Sequence, residues 1–123
     1  GENMIIRESA EMYLETVLVL GHKGPVHAVE IARHLNISKP SVSVAIHNLE
    51  SERYIMIDDE GHISLLPKGK EIAERIYERH TVLTDFFEKI GVSSEIASKD
   101  ACKIEHDISD ESFQKLRDLL KKL

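Results

Sequence analysis

The stretch IARHLNISKPSVSVAIHNLE, residues 31–50, decides the fold of the first half of the chain. Apolar residues recur at helical spacing on both sides of a short polar turn within it. Ser38 is a favourable N-cap, and Pro40 suits the first turn of the helix that follows. The spacing therefore predicts helices over about 26–35 and about 38–53, joined as in a helix-turn-helix.

The flanking segments extend this pattern into a winged helix-turn-helix. Residues 54–57 and 62–65 alternate like two strands around the turn at 58–61, and a hairpin in this position is a wing. Upstream, an apolar face over residues 11–20 predicts a first helix, with Ser9 as its N-cap.

The rest of the chain is expected to be helical. A long helix is predicted over residues 67–90, where Gly91 stops it. The serines at 93–94 begin a second helix with a narrow apolar stripe, and Ser109 caps the last one. We therefore predict a mostly α fold with a single hairpin.

Composition narrows the functional classes. The 123 residues are 41% hydrophobic and 31% charged, which suits one compact domain or two small subdomains. No apolar run could span a bilayer, no secretion leader is evident, and one cysteine cannot form an internal disulfide, so a cytoplasmic location is expected. The net charge of −6 opposes simple nucleic-acid binding. Any DNA affinity must therefore be local, depend on a dimer or be supported by bound cations.

The run Cys102-Lys103-Ile104-Glu105-His106 is the strongest sign of chemistry in the chain. On a helix, positions i, i+3 and i+4 share a face, so Cys102, Glu105 and His106 would project together. A thiolate, a carboxylate and an imidazole are ligands for a divalent transition metal. A lone cysteine is more often a small core residue, and a Glu-His pair is more often a solvated face. The run alone leaves both interpretations open.

Nearly the whole chain, from about Ser9 to Leu123, resembles the diphtheria-toxin-repressor/manganese-transport-regulator family of metal-dependent bacterial repressors. The segments that carry this resemblance are Ser9-Ala10-Glu11-Met12-Tyr13-Leu14-Glu15, Arg79-His80, and Cys102 with Glu105-His106 followed by Ile108-Ser109-Asp110. The resemblance implies a winged helix-turn-helix DNA-binding domain over residues 4–73. It also implies an all-helical metal-binding and dimerisation domain over residues 74–123. The expected function is to bind palindromic operator DNA as a metal-loaded homodimer and to control metal-uptake genes, with no enzymatic activity, membrane partner or small-molecule substrate.

The resemblance implies a primary metal site made of Met12, Cys102, Glu105 and His106. The mixed soft and hard donors suit Fe²⁺, and also Co²⁺, Ni²⁺ or Zn²⁺. In the iron-responsive branch the matching positions are likewise Met and Cys, whereas the manganese branch has carboxylate-type ligands there. Fe²⁺ is therefore the expected signal, with a Mn²⁺- or Zn²⁺-responsive repressor as the alternative. For Met12 alone, a core methionine is an equally good interpretation.

A second metal site is suggested by His80 and Glu15, which match ligand positions of the family. However, Thr84 stands where the family usually has a glutamate, and Ser98 stands where the iron branch has a histidine. The chain also ends at Leu123 without the SH3-like domain that completes the iron branch's ancillary site. We therefore expect iron-type ligands on a short, manganese-type architecture. His80 could also be a solvated helix residue.

The start of the third helix is expected to read the DNA. Its candidate DNA-binding residues are Ser38, Lys39, Pro40, Ser41 and Ser43. The chain departs from the iron branch at Val44, where a glutamine is expected, and at Glu30, where a basic residue would help. The acidic turn at 58–60 should make the wing a poor phosphate binder.

Two functions of other classes remain open at this point. One is a metal-independent winged-helix regulator, in which the Cys-x-x-Glu-His run is incidental. The other is a small metallohydrolase with Glu105 as general base, which is disfavoured because the chain has no His-x-x-x-His pair and no phosphate loop.

Overall fold

The computed structural model describes residues 2–123, and their side chains from Arg7 onward. The fold is mostly helical, as predicted, with one two-stranded antiparallel sheet among the described residues. The elements in chain order are α1 (Glu2–Gly21), α2 (Ala28–Leu35), α3 (Lys39–Ser51), β1 (Ile55–Ile57), β2 (Ile63–Leu65), α4 (Pro67–Lys89), α5 (Ser94–Ile104) and α6 (Asp110–Leu120). None of the described helices is long and apolar enough to cross a membrane.

The chain divides into two compact units, one that ends at Glu74 and one that begins at Arg75. The N-terminal unit has a core of aliphatic side chains from α1, α2, α3 and the hairpin, with Leu14, Ile31 and Val42 fully buried. Burial of such side chains contributes about 1.5–3 kcal/mol each. This core fixes α3 relative to α2 and therefore sets which face of α3 remains exposed.

The helix-turn-helix forms as predicted, and its turn follows local chemistry. Asn36 ends α2 in the left-handed conformation (φ 55°), which asparagine tolerates better than most residues. Ser38 then caps α3, because its side chain accepts a hydrogen bond from the backbone N–H of Ser41. Glu30 and His27 form a capping box at the start of α2.

The wing is also present, and its second strand pairs with Val26, a residue that we expected in a helix. β1 pairs with β2 so that Ile57 lies opposite Ile63. Ile63 also forms a bridge with Val26, whose carbonyl accepts the N–H of Ile63 at 2.8 Å. The prediction that α2 begins at about Val26 is therefore wrong by two residues, because this backbone pairing is incompatible with a helix.

Two further boundaries differ from the prediction. Ser9 lies inside α1 and is not its N-cap, because no glycine or proline interrupts the helix between Glu2 and Gly21. At the other end of the unit, α3 ends at Ser51 and does not continue through Arg53. Arg53 instead adopts φ 64° in the turn that leads into β1.

Replacing Arg53 with glycine is expected to stabilise the protein by about 1 kcal/mol. The left-handed conformation costs an L-residue roughly 1–2 kcal/mol, whereas glycine adopts it freely and loses part of the gain through its flexible unfolded state. Urea unfolding monitored by circular dichroism measures the change. The control is Arg53→Ala, which keeps the strained conformation and should give no gain. Equal effects of the two substitutions would contradict the explanation.

The C-terminal unit contains the remainder of α4 together with α5 and α6. Gly91 (φ 107°) follows α4, and the Ser109 hydroxyl caps α6 by accepting from the Ser112 N–H. Ser93 occupies the N-cap position of α5, although its side chain makes no capping hydrogen bond. The buried apolar side chains of this unit are Ile76, Leu83, Ala97, Ala101 and Phe113. The buried apolar residues of α5 are thus both alanines.

Candidate functional site

Glu105 is a fully buried carboxylate in the C-terminal unit, with 0% of its surface exposed. It is the C-cap residue of α5, yet its backbone remains helical and its N–H donates to the Ala101 carbonyl. This conformation keeps the side chain on the buried side of the helix. Burying an ionised carboxylate is costly unless positive groups or hydrogen-bond donors compensate it.

Two histidines face the Glu105 carboxylate. His80 Nδ1 lies 2.8 Å from Glu105 Oε2, and His106 Nε2 lies 3.5 Å from Glu105 Oε1. Oε1 is buried and makes no hydrogen bond among the residues that the structure describes. The His106 side chain is 10% exposed and that of His80 is 27% exposed. One carboxylate oxygen therefore keeps an unused lone pair in a nearly dry site.

Arg79, the neighbour of His80 on α4, holds the backbone of the same turn. Its guanidinium donates to the Glu105 carbonyl at 3.1 Å and to the Ile108 carbonyl, and it also pairs with Asp110. Arg79 is only 3% exposed and lies over the ring of Phe113, 5.4 Å from the ring centroid. Residue 105 is thus fixed through its backbone by Arg79 and through its side chain by His80.

Cys102 lies in a different environment from Glu105. α5 ends at Ile104, so Glu105 and His106 lie at and beyond the helix end, and Cys102 is exposed whereas Glu105 is buried. The expectation that the three side chains project together stays a prediction, because burial alone does not give the direction of the Cys102 side chain.

The remaining predicted ligands, Met12 and Glu15, lie on α1 in the N-terminal unit. Both residues are half-buried, and the Met12 carbonyl accepts a hydrogen bond from the Thr16 hydroxyl at 2.8 Å. Met12 is thus not part of the fully buried core, which was its alternative interpretation.

The two positions that depart from the family's ligand pattern lie close to His80. Ser98 Oγ is 3.4 Å from His80 Nε2, and Thr84 follows His80 by one helical turn. The Thr84 hydroxyl oxygen is buried without a hydrogen-bond partner among the described side chains. Neutral hydroxyls are weaker cation ligands than a glutamate or histidine at these positions.

The donor set that the C-terminal unit brings together fits a divalent cation. It consists of two imidazoles and a carboxylate with a free lone pair, which are donors for Mn²⁺, Fe²⁺ and Zn²⁺. His80 Nδ1 is already engaged by Glu105, an arrangement that orients the imidazole ring. The arrangement therefore offers a cation an anionic oxygen that is already buried, and this carboxylate offsets part of the charge of the cation.

The five predicted DNA-binding residues all lie in the exposed first turn and a half of α3 or at its cap. Ser38 donates its hydroxyl hydrogen to Ser41 Oγ at 2.9 Å, so these two side chains already support the helix end. Lys39, Pro40 and Ser43 are exposed. The next residue, Val44, is exposed as well, with 63% of its surface accessible.

The wing carries negative charge toward solvent. Asp58 accepts hydrogen bonds from the backbone N–H groups of His62 and Glu60, and these bonds lower the pKa of Asp58 below its usual value. The carboxylate is therefore ionised at neutral pH. Lys68, near the start of α4, donates to the Glu52 carbonyl and lies over the Tyr54 ring, so it is occupied within the fold. Both features disfavour phosphate binding by the wing.

Sequence reasoning did not assign a role to Arg79. The sequence offered one sign, since Arg79 directly precedes His80, a candidate ligand. An inward-pointing arginine is unusual, because arginine is almost never fully buried unless it is paired. Only the structure shows that it reaches the carbonyls of Glu105 and Ile108.

Two protein-family models match this chain consecutively. The first, described as the iron dependent repressor N-terminal DNA binding domain, matches residues 6–63. The second, described as the iron dependent repressor metal binding and dimerisation domain, matches residues 66–123.

Individual proteins are similar over nearly the same length. The HTH-type transcriptional regulator MntR of Geobacillus kaustophilus (strain HTA426) is 32% identical over 113 residues, which are 91% of this chain and 80% of that protein. The crystal structure of T. acidophilum IdeR matches with a TM-score of 0.79 and 29% identity, over 90% of this chain and 53% of that one. The crystal structure of ScaR with bound Zn²⁺ matches with a TM-score of 0.76 and 25% identity, over 93% of this chain and 54% of that one. This chain thus spans about half the length of those two solved proteins.

Proposed function

Because this chain belongs to the iron-dependent repressor family, whose members are metal-dependent transcriptional regulators and not enzymes, we propose that a bound divalent metal switches on its binding to operator DNA. The operator is a palindrome that a homodimer reads with two copies of α3, one from each protomer. The regulated genes are those of metal uptake. The coarser function, a metal-dependent transcriptional repressor, follows from family membership.

The observation that carries the proposal is the buried Glu105 carboxylate, whose Oε1 makes no hydrogen bond among the described residues and has His106 Nε2 3.5 Å away. Such an oxygen is costly in the absence of a compensating group, and the two facing histidines are at most partial compensation. A divalent cation would give this oxygen a partner and would offset the charge of the buried carboxylate. Without metal, the buried carboxylate destabilises the turn at residue 105. Metal binding would therefore stabilise this turn and could act as a switch.

The proposed ligands of the primary site are Met12, Cys102, Glu105 and His106. Glu15 and His80 are proposed for a second or shared position. Support for Glu105, His106 and His80 comes from their distances, whereas Met12, Cys102 and Glu15 rest on the family's ligand positions.

We propose Fe²⁺ as the physiological ion, with Mn²⁺ as the second candidate. The thioether of Met12 and the thiolate of Cys102 are soft donors, which favour iron over manganese. The second candidate has its own support, because Glu105, His80 and His106 offer only nitrogen and oxygen donors. A related solved protein, the manganese-activated repressor ScaR, is 25% identical to this chain.

Replacing Cys102 with glutamate is expected to shift the metal preference toward Mn²⁺ by about tenfold, because a hard carboxylate would replace the soft thiolate. The readout is the free concentration of Mn²⁺ or Fe²⁺, under anaerobic conditions, that half-activates DNA binding. Cys102→Ser is the control, since it removes the thiolate without adding a charge. An unchanged Fe²⁺/Mn²⁺ ratio in Cys102→Glu would exclude Cys102 as a ligand.

The function itself is tested by selecting duplexes from a random DNA pool with the purified protein, with Fe²⁺ or Mn²⁺ in one arm and a chelator in the other. We expect enrichment of palindromic sequences in the metal arms alone, with affinity about 5–150-fold higher than in the chelator arm. The same sequences enriched equally in all arms would instead identify a metal-independent winged-helix regulator.

A further inference from the structure

We infer that Val44 is a specificity-determining residue that contacts the 5-methyl group of a thymine in each half of the operator. This inference rests on the proposed function, since it requires α3 to enter the major groove. Val44 is not among the candidate DNA-binding residues identified from the sequence, all of which precede it on α3.

Val44 is an apolar residue whose side chain is not buried in the core. It is 63% exposed, whereas Val42 and Ile46 on the same helix are 0% and 4% exposed and belong to the core. A single exposed valine is ordinary on a protein surface, so its exposure alone assigns nothing. Its position on the helix is the informative feature.

Val44 lies at the centre of the exposed face of α3. Residues three and four positions away on a helix are its surface neighbours, and here these are Pro40, Ser41, His47 and Asn48. All four are exposed. This face is the one that remains accessible when the opposite face packs on α1 and α2.

The exposed face has no positive charge after the first turn. From Ser41 to Ser51, α3 contains neither lysine nor arginine. Apart from His47, this part of the helix therefore has no side chain for an ion pair with phosphate, and hydrogen bonds and apolar contacts are its main means of contacting DNA.

His47, one turn after Val44, supports the same conclusion. Its Nδ1 lies 2.7 Å from the Ser43 carbonyl oxygen, which can only accept, so Nδ1 carries the hydrogen. This hydrogen bond orients the ring and leaves Nε2 as the ring nitrogen that can reach a base edge, for example the amino group of cytosine or adenine. The polar neighbour of Val44 is thus suited to base edges.

Among the groups that base pairs present in the major groove, the thymine 5-methyl is the apolar one. An exposed valine in the middle of an uncharged helix face matches this group in chemistry. Loss of one buried methyl-sized contact corresponds to about a fourfold change in affinity per half-site.

The test uses the duplexes selected with the metal-loaded protein. Each thymine of one selected duplex is replaced in turn by deoxyuridine, symmetrically in both half-sites, which removes the methyl group and keeps every hydrogen-bonding atom. Fluorescence anisotropy measures the affinity of the wild-type protein, of Val44→Ala and of Val29→Ala. The last is a matched control, because Val29 is also exposed (38%) but lies on α2.

At one thymine per half-site, deoxyuridine is expected to weaken wild-type binding by about fifteenfold over both half-sites. At that position Val44→Ala should bind the two duplexes equally, whereas Val29→Ala should retain the wild-type difference. If duplexes are selected but no thymine distinguishes Val44→Ala from Val29→Ala, the inference about Val44 is overturned. If no duplex is selected in any metal arm, the proposed function fails first, and the inference falls with it.

Discussion

Replacing Arg79 with methionine is expected to lower the free energy of unfolding by about 3 kcal/mol. Methionine keeps much of the apolar length of the side chain, but it cannot donate to the carbonyls of Glu105 and Ile108. Each hydrogen bond from a charged donor contributes roughly 1.5–3 kcal/mol, and the buried Glu105 carbonyl would be left without this donor. The pair with Asp110 adds less, because the Asp110 side chain is 80% exposed.

Arg117 offers a matched control for this substitution. Its guanidinium also lies over the Phe113 ring, at 5.8 Å, and it pairs with Glu78, whose side chain is 54% exposed. Arg117→Met should therefore cost less than about 1 kcal/mol. Urea unfolding of both variants without metal provides the comparison. A similar loss for Arg79→Met and Arg117→Met would show that Arg79 is not an anchor of the turn at residue 105.

Replacing Glu105 with glutamine is expected to abolish metal-stimulated DNA binding and to weaken metal binding by on the order of 100-fold. Glutamine has nearly the same shape, but it lacks the charge that attracts a cation. Without metal the same variant should be as stable as the wild type or more stable, because it removes a buried charge. A loss of metal binding without a loss of metal-free stability is a combination that a merely structural role of Glu105 would not produce.

Thermal unfolding with and without added metal measures both effects. Glu95, on the same helix as Glu105, is the control, because its side chain is 78% exposed and pairs with Lys99. Glu95→Gln should show the wild-type increase in melting temperature with metal. A metal-dependent increase in Glu105→Gln equal to that of the wild type would exclude Glu105 as a ligand.

The sequence was sufficient for the fold because its turns depend on local chemistry. The helix ends lie at residues whose backbone preference or capping group can be read from the sequence. These residues are Asn36 and Gly91 after helices, and Ser38 and Ser109 as N-caps. Val26 was assigned to α2 because its pairing with Ile63 is a contact between distant residues, which periodicity does not reveal. The early start of α1 was missed since Ser9 is compatible with a cap and with a helix interior.

The candidate site was predictable in its residue types but not in its environment. The spacing of Glu105 and His106 indicated ligands, and the resemblance added His80. Spacing could not reveal that Glu105 is buried while Cys102 is exposed, because the difference arises from packing around the end of α5. The role of Arg79 was hidden for the same reason, since its partners lie 26 and 29 residues away.

Anomalous diffraction from a crystal of the metal-loaded protein, recorded at the iron or manganese absorption edge, tests the central claim most directly. We expect a peak about 2.2 Å from Glu105 Oε1, with His106 among the other ligands. The sulfur of Cys102 in the same coordination sphere would support iron as the physiological ion. A fully loaded protein whose anomalous peak lies away from Glu105 would contradict the proposed metal centre and the switch based on it.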